Sequence, residues 1–347
     1  MNETNVLVVG AGAMGLVTGY HLRLGGAKIT FLVRPGTRDR TAGPALLYSY
    51  DDGNIKRFEG YEVEDDIAKL RTIPFDFAIV TIDYAQSLAA TGTRLLRDLG
   101  EALADGDTTL IIGGVGIGLR EHYIRATGLP PHRIFNGVLG ALSHQTSANL
   151  PVHSPTNSDL LRQASVAYRH PQECGFVLDA MYPEPAAAFA EIYGRNGTSC
   201  CLVIDEAQFA VMTNAPFCAL AAKEIMGWPP ACDLVSDEEL WPLSCSAQRE
   251  IASLPQFGMD PATVAQTMTN EMLAKIQIET EIACHPLDYP AFNRFHHGRK
   301  VSAQDLLVLQ NCLKAGVSSS IPMPALTELV AQLEERRKPQ RDVSNRP

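Results

Sequence analysis

The feature that most constrains this chain is a group of three glycines near its amino end. Gly10-Ala11-Gly12-Ala13-Met14-Gly15 has the spacing G-x-G-x-x-G; it directly follows the apolar run Val6–Val9 and opens a helix-like segment, Leu16–Leu24. At such a strand–turn–helix junction the first glycine permits a tight turn, the second lets the backbone approach a pyrophosphate, and the third lets helix and strand pack closely. Free N–H groups at the helix start then point at the anion. The alternative is a glycine-rich turn without a ligand, but the context favours a dinucleotide site formed by Gly10, Gly12, Ala13, Met14 and Gly15.

Strand-like and helix-like segments alternate through the first part of the chain. A turn signal, Asp52-Gly53-Asn54, together with Leu46–Ile55 and Phe58–Val63, predicts a hairpin or paired strands. The other predicted strands are Val6–Val9, Lys28–Val33, Phe77–Ile82, Thr109–Ile112 and Arg133–Leu139, with a helical stretch at Ala85–Ala104. This alternation predicts an α/β fold whose N-terminal part is a Rossmann-type, doubly wound parallel sheet.

The pattern changes after about residue 200, where strand-like alternation disappears. Proline and glycine then mark the limits of amphipathic segments of helix length, which are Glu206–Met226, Thr263–Ile282, Ser302–Leu313 and Pro324–Arg336. We therefore predict a Rossmann-like domain over 1–203, a second, all-α domain over 204–336, and a flexible polar tail over 337–347.

Charge and cysteine content limit the classes of partner. The 347 residues carry a formal net charge of −10, so the chain lacks the basic footprint of a general nucleic-acid or anionic-membrane binder. Its longest apolar runs, such as Thr108–Leu119 and Ala210–Ala222, are too short or too interrupted to span a bilayer. Eight cysteines without a C-x-x-C pair, and no signal-peptide pattern at the start, predict reduced thiols and a cytoplasmic location. We expect a small-molecule substrate, and neither nucleic acid nor membrane as a partner.

The end of the second predicted strand indicates which dinucleotide binds. An NAD site usually has an acidic residue there, which accepts a hydrogen bond from the ribose 2′-hydroxyl. This chain has Arg34 instead, and no acidic residue occurs between Gly15 and Asp39. A planar guanidinium suits a 2′-phosphate, and Arg38 and Arg40 are close enough in sequence to assist. The pattern predicts NADP(H), although Arg34 is also compatible with a solvated loop arginine.

Several short segments form a recognisable set with the glycine loop. They are Ile29–Arg34, Val80-Thr81-Ile82-Asp83-Tyr84-Ala85-Gln86, Gly113-Gly114-Val115-Gly116, Asn149–His153 and Ile321-Pro322-Met323-Pro324. Taken together, over most of the chain, they resemble segments of the ketopantoate reductase (2-dehydropantoate 2-reductase) family. The resemblance implies NADPH-dependent reduction of a 2-oxo acid in a cleft between a Rossmann domain and a helical domain. It also implies that Thr81 and Gly113 lie at the cofactor, and that the helical domain forms a homodimer.

The catalytic pattern of that family is not kept. A family lysine falls on Asp83, the lysine of a Lys-x-x-x-Asn helix falls on Gln208, and the asparagine of that helix falls on Met212. Gly113 replaces the family's loop asparagine, and the family's serine pair falls near Tyr289–Pro290. The family's Thr-Glu-x-Asp motif corresponds to Ser302-Ala303-Gln304-Asp305, which keeps Asp305 but loses the glutamate. Hydride delivery to a ketone creates an alkoxide that needs a proton donor or a cation, and Gln208 supplies neither. Loss of one such group costs about 2.7–4 kcal/mol, so we expect an altered substrate.

Other polar residues are candidates to replace the lysine. We place Gln208, Asn214 and Asp83 nearest the reaction, although Asn214 equally fits a helix-buried amide bonded to the backbone. Four further sites have plainer alternatives. Lys223 suits a solvated surface charge better than a catalytic role, and the His296-His297 pair is either a general acid or two solvated loop residues. Asp305 either pairs with a cationic substrate or caps a helix. Cys200 and Cys201 are expected to pack as small hydrophobes.

Three functional hypotheses remain at this stage. The favoured hypothesis is an NADP-dependent oxidoreductase with an altered carbonyl or imine substrate. The second is a non-redox enzyme, for cyclisation, condensation or elimination, that keeps the nucleotide pocket. The third is a non-catalytic NADPH-binding protein. Turnover with a change in cofactor redox state would indicate the first, and turnover without such a change the second. Binding without turnover would indicate the third.

Overall fold

The computed structural model describes residues 3–338 and contains two β-sheets. In chain order the strands are β1 (Asn5–Val9), β2 (Lys28–Leu32), β3 (Ala45–Ser49), β4 (Asn54–Phe58), β5 (Glu62–Glu64), β6 (Phe77–Val80), β7 (Thr109–Ile112), β8 (Ile134–Leu139), β9 (Leu142–Gln145), β10 (Val166–Arg169), β11 (Cys174–Asp179) and β12 (Cys200–Ile204). The main sheet has eight strands in the order β12-β11-β8-β7-β6-β1-β2-β5. From β5 to β8 all neighbours are parallel, in the 3-2-1-4-5-6 order of a Rossmann sheet, and β11 joins β8 antiparallel.

Helices connect the strands and then form most of the described chain from Glu206 to Arg337. Those up to β12 are α1 (Ala13–Leu24), α2 (Arg38–Thr41), α3 (Tyr84–Leu88), α4 (Ala90–Ala102), α5 (Leu119–Thr127), α6 (Ser158–Gln163) and α7 (Pro183–Gly194). Those after β12 are α8 (Glu206–Asn214), α9 (Phe217–Ile225), α10 (Ala231–Val235), α11 (Leu240–Ala252), α12 (Pro261–Thr267), α13 (Asn270–Cys284), α14 (Tyr289–Phe295), α15 (Ser302–Ser318) and α16 (Pro324–Arg337). A π-helical turn, His296–Lys300, joins α14 to α15. The predicted fold class, a Rossmann-type sheet followed by an all-α region, is confirmed.

The second sheet is small and lies over α1. Its order is β4-β3-β10-β9, so a parallel pairing of β3 with β10 joins two antiparallel hairpins that are far apart in sequence. Leu47 and Tyr168 of this sheet share a buried apolar cluster with Val17 of α1 and Phe31 of β2. The small sheet thereby covers the face of α1 that the main sheet leaves open.

The largest apolar core joins the main sheet to the C-terminal helices. Leu7, Val80 and Ile112 of the sheet belong to the same buried cluster as Phe217 of α9 and Val308 of α15. Burial of this size is the main favourable contribution to folding. Within residues 3–338, no helix has the length and hydropathy needed to cross a membrane.

Several predicted segments differ from the structure in their extent. The predicted helices Ala85–Ala104, Glu206–Met226 and Thr263–Ile282 are each interrupted: Ala89 is extended, Pro216 begins a new helix, and Thr269 caps α13. The hairpin prediction was right about the turn, but Phe58 ends β4 whereas Glu62–Glu64 pairs with β2 in the main sheet.

The strands β9 to β12 were not predicted, and the division at 203/204 stays a prediction. Of the predicted tail, Arg337 is the last residue of α16, and residues 339–347 lie outside the described residues.

Candidate functional site

The glycine loop forms an open backbone cradle at the start of α1. Gly10 has φ +106°, a conformation that a side chain disfavours, and a Cβ there would lie 2.7 Å from Thr81 Oγ1. A Cβ at Gly15 would overlap the carbonyl oxygen of Gly10. A Cβ at Gly12, by contrast, would meet no atom within 4 Å, and no side chain caps the first turn of α1. The tight positions thus face protein and the free one faces open space, as a phosphate-binding loop requires.

The ends of three neighbouring parallel strands form the rest of this edge. Thr81 Oγ1 donates to the Val9 carbonyl at 2.9 Å, which joins the ends of β1 and β6, and the Gly113 amide donates to the Val80 carbonyl at 2.8 Å. Ligands of such sheets bind outside the carboxyl ends of the strands. Gly10, Thr81 and Gly113, which were predicted separately, are therefore neighbours along one edge.

A cleft of about 340 Å³ opens beside this cradle. Ala11, Gly12 and Ala13 form one wall, and Gln145–Ser147, at the end of β9, forms part of the other. Met14 also faces this side, because Ser143 Oγ on β9 donates to its sulfur at 2.9 Å. Residues 145–147 were missed by sequence analysis because only the pairing of β9 with β10 brings them here. The open backbone and the cleft fit a dinucleotide pyrophosphate.

Arg34 lies two residues beyond β2 and is exposed to solvent. Its loop is ordered by Thr37, whose hydroxyl donates to the Arg34 carbonyl at 2.7 Å, and by Asp65, which accepts from the Gly36 amide at 2.9 Å. Among residues 3–338 no carboxylate forms an ion pair with Arg34, whereas Arg38 donates to the Val63 carbonyl and lies 3.9 Å from Glu64. Arg34 is thus better placed than Arg38 to bind an added anion.

Asp83 follows Thr81 closely and caps α3. Its carboxylate accepts from the Gln86 amide at 2.8 Å and also contacts the Gln86 side chain. The next amide, Tyr84 N, donates to Gln304 Oε1 on α15 at 2.8 Å. Partial burial lowers the pKa of the Lys300 ammonium, and the nearby Asp83 carboxylate acts against that decrease. The Lys300 cation of the C-terminal region is therefore near enough to interact electrostatically with Asp83, the position where the resemblance places a lysine.

The other two predicted catalytic residues lie on α8 and differ in burial. Gln208 is exposed in the first turn, where its backbone N–H donates to the carboxylate of the capping Asp205. Asn214 is only 4% exposed and donates to the Ala210 carbonyl at 2.8 Å, while its Oδ1 has no hydrogen-bond partner within the described structure. The backbone-bonded alternative for Asn214 is thus realised for its nitrogen. A catalytic role for either residue stays a prediction.

The prediction that Lys223 is a surface charge is wrong. Lys223 on α9 is 2% exposed, and its Nζ lies 5.0 Å from the centroid of the Tyr289 ring. Burial lowers the pKa of the amine, although Glu281 acts against the decrease. Tyr289 of α14, which the pattern of α9 alone does not show as a neighbour, lies over this side chain.

The two adjacent histidines have different environments. His296 stacks on Phe292 with centroids 5.4 Å apart, and burial, with His297 and Lys300 nearby, holds the pKa of His296 well below its usual value. His297 Nδ1 lies 2.9 Å from Asp305 Oδ2, and its side chain keeps 19% exposure. Asp305 therefore does not cap α15, which was one of its two predicted roles.

Cys200 and Cys201, which were expected to pack as small hydrophobes, are half-buried on β12. Burial raises the pKa of the Cys201 thiol, which therefore has little nucleophilic thiolate.

Comparison with known proteins confirms the resemblance found in the sequence. Residues 6–145 match the family model described as ketopantoate reductase PanE/ApbA. Comparison with curated proteins finds no match.

Solved structures share the fold over nearly the whole chain. The 2-dehydropantoate 2-reductase from Methylococcus capsulatus is 18% identical, with a TM-score of 0.70 and coverage of 97% of this chain and 99% of that one. The enzyme of the same title from Geobacter metallireducens GS-15 is 19% identical, with a TM-score of 0.65 and coverage of 95% and 99%. D-mandelate dehydrogenase, in a ternary structure with NADH and anilino(oxo)acetate, is 14% identical, with a TM-score of 0.65 and coverage of 96% and 98%. All three are named as oxidoreductases, and at these identities the likeness shows the fold.

Proposed function

We propose that this chain is an NADP(H)-dependent oxidoreductase that acts on a small carbonyl or imine compound. The observation that carries the proposal is the open cradle at Gly12, where a side chain would meet no atom within 4 Å, beside a cleft of about 340 Å³. Gly10, Gly12, Ala13 and Gly15 would hold the pyrophosphate. When bound, the dinucleotide supplies or takes up a hydride at its nicotinamide ring.

Arg34 supports the choice of NADP(H) over NAD(H). It is exposed, forms no ion pair within residues 3–338, and lies on a loop whose backbone is held by Thr37 and Asp65. A guanidinium pairs with a phosphate through two parallel hydrogen bonds, which a ribose hydroxyl cannot match. The mandelate dehydrogenase structure contains NADH, so this preference depends on Arg34 itself and not on the fold.

The changed polar residues support an altered substrate. Asp83 stands where the resemblance places a lysine, and a carboxylate repels the carboxylate of a 2-oxo acid. The positive charge of Lys300, which interacts electrostatically with Asp83, reduces this repulsion. We therefore favour a carbonyl or imine compound other than 2-dehydropantoate. Homodimer formation and a cytoplasmic location stay predictions.

Calorimetric titration with NADPH and NADH tests the cofactor assignment. We expect tighter binding of NADPH, and we expect Arg34→Gln to weaken NADPH binding by about 10- to 100-fold, the usual value of a hydrogen bond to a charged group, with little effect on NADH. Arg71→Gln is the matched control, because Arg71 is an exposed arginine that pairs with Glu101. Tighter binding of NADH by the wild type would overturn the assignment.

A panel of aldehydes, ketones and imines, followed by the absorbance of reduced nicotinamide, then tests the reaction class. Oxidation of NADPH with one member of the panel supports the proposal. Substrate turnover without a change in cofactor redox state would show a non-redox enzyme on the same scaffold. Binding of NADPH without turnover of any member would favour a non-catalytic binding protein.

A further inference from the structure

The π-helical turn His296–Lys300 brings polar side chains of the helical region next to the residues that follow β6. Lys300 is close enough to Asp83 for the carboxylate to affect its pKa, and Gln304 accepts a hydrogen bond from the Tyr84 amide at 2.8 Å. Asp83 is two residues beyond Thr81, whose hydroxyl lies against Gly10 of the cradle. The turn and the first residues of α15 therefore border the carboxyl edge of the main sheet, where the dinucleotide is proposed to bind.

One side chain of this turn has the surroundings of a proton-transfer group. His297 Nδ1 lies 2.9 Å from Oδ2 of Asp305, so an imidazole protonated at Nδ1 donates a hydrogen bond to the carboxylate and leaves Nε2 for another partner. Asp305 is 5% exposed, and its Oδ1 has no partner within the described structure. The imidazole keeps 19% exposure. A buried carboxylate that holds one ring nitrogen fixes the ring orientation and stabilises the imidazolium form.

The charges around this pair come from three packed elements. Arg337 of α16 and Glu224 of α9 form an ion pair with an Nε–Oε1 distance of 2.6 Å, and both affect the Asp305 carboxyl. Burial raises the pKa of Asp305, whereas His297 and Arg337 lower it and Glu224 raises it. The third element is the π-helical turn itself, which contributes the cation of Lys300. His297 is thus the partner that favours the charged form of the Asp305 carboxylate, against the burial that opposes it.

The other candidates for proton transfer are less suitable. His296 is stacked on Phe292 and held neutral by burial, and its Nδ1 is enclosed without a partner. Lys223 is enclosed against Tyr289, and Gln208 has no proton to give. A π-helical turn is an uncommon element that often marks a functional position.

We propose that His297 is the catalytic proton donor and acceptor of this enzyme, with Asp305 as its positioning residue; this rests on the proposed oxidoreductase function. In the reducing direction, the carbonyl carbon receives the hydride from the reduced dinucleotide, and the electron pair of the C=O π bond moves to the oxygen. His297 Nε2 gives its proton to that oxygen, so one hydride and one proton convert the carbonyl to an alcohol. The neutral imidazole then takes up a proton from solvent. In the reverse reaction, the neutral imidazole is the base that removes the proton of the alcohol.

Labelling of histidines by diethyl pyrocarbonate, followed by peptide mass spectrometry, tests the position of His297 without any substrate. We expect His297 to be labelled in the free protein and NADPH to slow its labelling, while His132, an exposed histidine in the turn Pro131–Arg133, is labelled equally in both states. If NADPH binds by calorimetry and the labelling rate of His297 does not change, the proposal is overturned while the proposed function stands. If NADPH does not bind, the proposed function fails and this inference fails with it.

Variants then separate the two roles. His297→Gln should lower kcat by about 10²- to 10⁴-fold, the usual contribution of a general acid, and leave the NADPH Kd unchanged. Asp305→Asn should lower kcat by about tenfold or more without raising KM, because it removes the charge that stabilises the imidazolium. His132→Gln is the control and should match the wild type. Turnover by His297→Gln close to the wild-type rate would refute the proposal, and a rise in KM alone would show a binding role instead.

Discussion

The ammonium of Lys223 lies 5.0 Å from the ring centroid of Tyr289, inside the helical region and away from solvent. Its Nζ has no hydrogen-bond partner among the described residues, and Tyr289 is the aromatic face that stabilises it. A cation–π contact of this kind returns only part of the free energy lost when an ammonium leaves water. The lysine is therefore a cost to stability that the surrounding packing offsets.

Replacement of Lys223 by methionine should raise the free energy of unfolding at pH 7 by about 1–2 kcal/mol, because a side chain of similar length then fills the site without a buried charge. Burial lowers the pKa of the amine in the folded state below its ordinary value of 10.5. Between these two pKa values the unfolded chain binds more protons than the folded one, so the stability of the wild type rises with pH. The advantage of Lys223→Met should therefore shrink between pH 7 and pH 10. Urea unfolding of both proteins across this range measures the effect. An advantage that grows with pH would contradict it.

Two alanine substitutions in the glycine loop should have opposite profiles. Gly15→Ala should lower the free energy of unfolding by about 1–3 kcal/mol or more, because its Cβ overlaps the Gly10 carbonyl oxygen. Gly12→Ala adds a methyl group to open space, so the thermal midpoint should stay close to the wild type while NADPH binding weakens. Thermal unfolding and calorimetric titration measure the two effects. Unchanged NADPH affinity in Gly12→Ala would contradict the proposed position of the pyrophosphate.

The side chain of Glu250 caps the last helix. Its two oxygens accept from the amides of Ala325 and Leu326 at 3.0 and 2.8 Å, in the first turn of α16. Glu250→Ala leaves both amides without their partner and should destabilise the protein by about 2–3 kcal/mol. Glu250→Gln keeps one acceptor oxygen and should lose less. Chemical unfolding of the three proteins gives the order, and equal losses for the two variants would show that the bonds contribute little.

Tyr84 connects the sheet edge to the helical region. Its hydroxyl donates to the Ile117 carbonyl at 2.7 Å and accepts from Asn311 Nδ2 of α15 at 3.0 Å. Tyr84→Phe should lower the free energy of unfolding by about 1–2 kcal/mol, because both partners then lose a hydrogen bond. A double-mutant cycle with Asn311→Ala should give a coupling of about 0.5 kcal/mol or more. Strict additivity would show that the two residues do not interact.

The sequence was most informative where a structure is decided by neighbouring residues. The glycine loop and the strands β1, β2, β6 and β7 depend on short apolar runs and on the spacing of three glycines, so they were predicted nearly to the residue. The sheet edge then followed from the parallel topology. The strands β9 and β10 were missed because their sequences, Leu142–Gln145 and Val166–Arg169, are short and carry polar residues, so no continuous apolar run marks them.

The polar part of the site depended on packing that periodicity does not describe. Lys223 belongs to a segment whose sequence is amphipathic. Its burial becomes apparent only from the position of Tyr289 on α14. His297 and Asp305 are eight residues apart and meet because a π-helical turn shortens the path between α14 and α15. Sequence analysis named His297 and Asp305 separately and had no means of pairing them. Pro216, which separates α8 from α9, is a local signal for the interruption of the predicted helix Glu206–Met226.

The apolar core that joins Leu7, Val80 and Ile112 to Phe217 and Val308 has a consequence for how the chain must be made. A fragment ending at residue 203 would keep the cover that Leu96 and Tyr123 give this face but would lose the contacts of Phe217 and Val308, so part of its apolar surface would be exposed to water. A nascent chain carries the same exposed apolar surface until the C-terminal helices have been synthesised, which is the stage at which such chains are prone to aggregate.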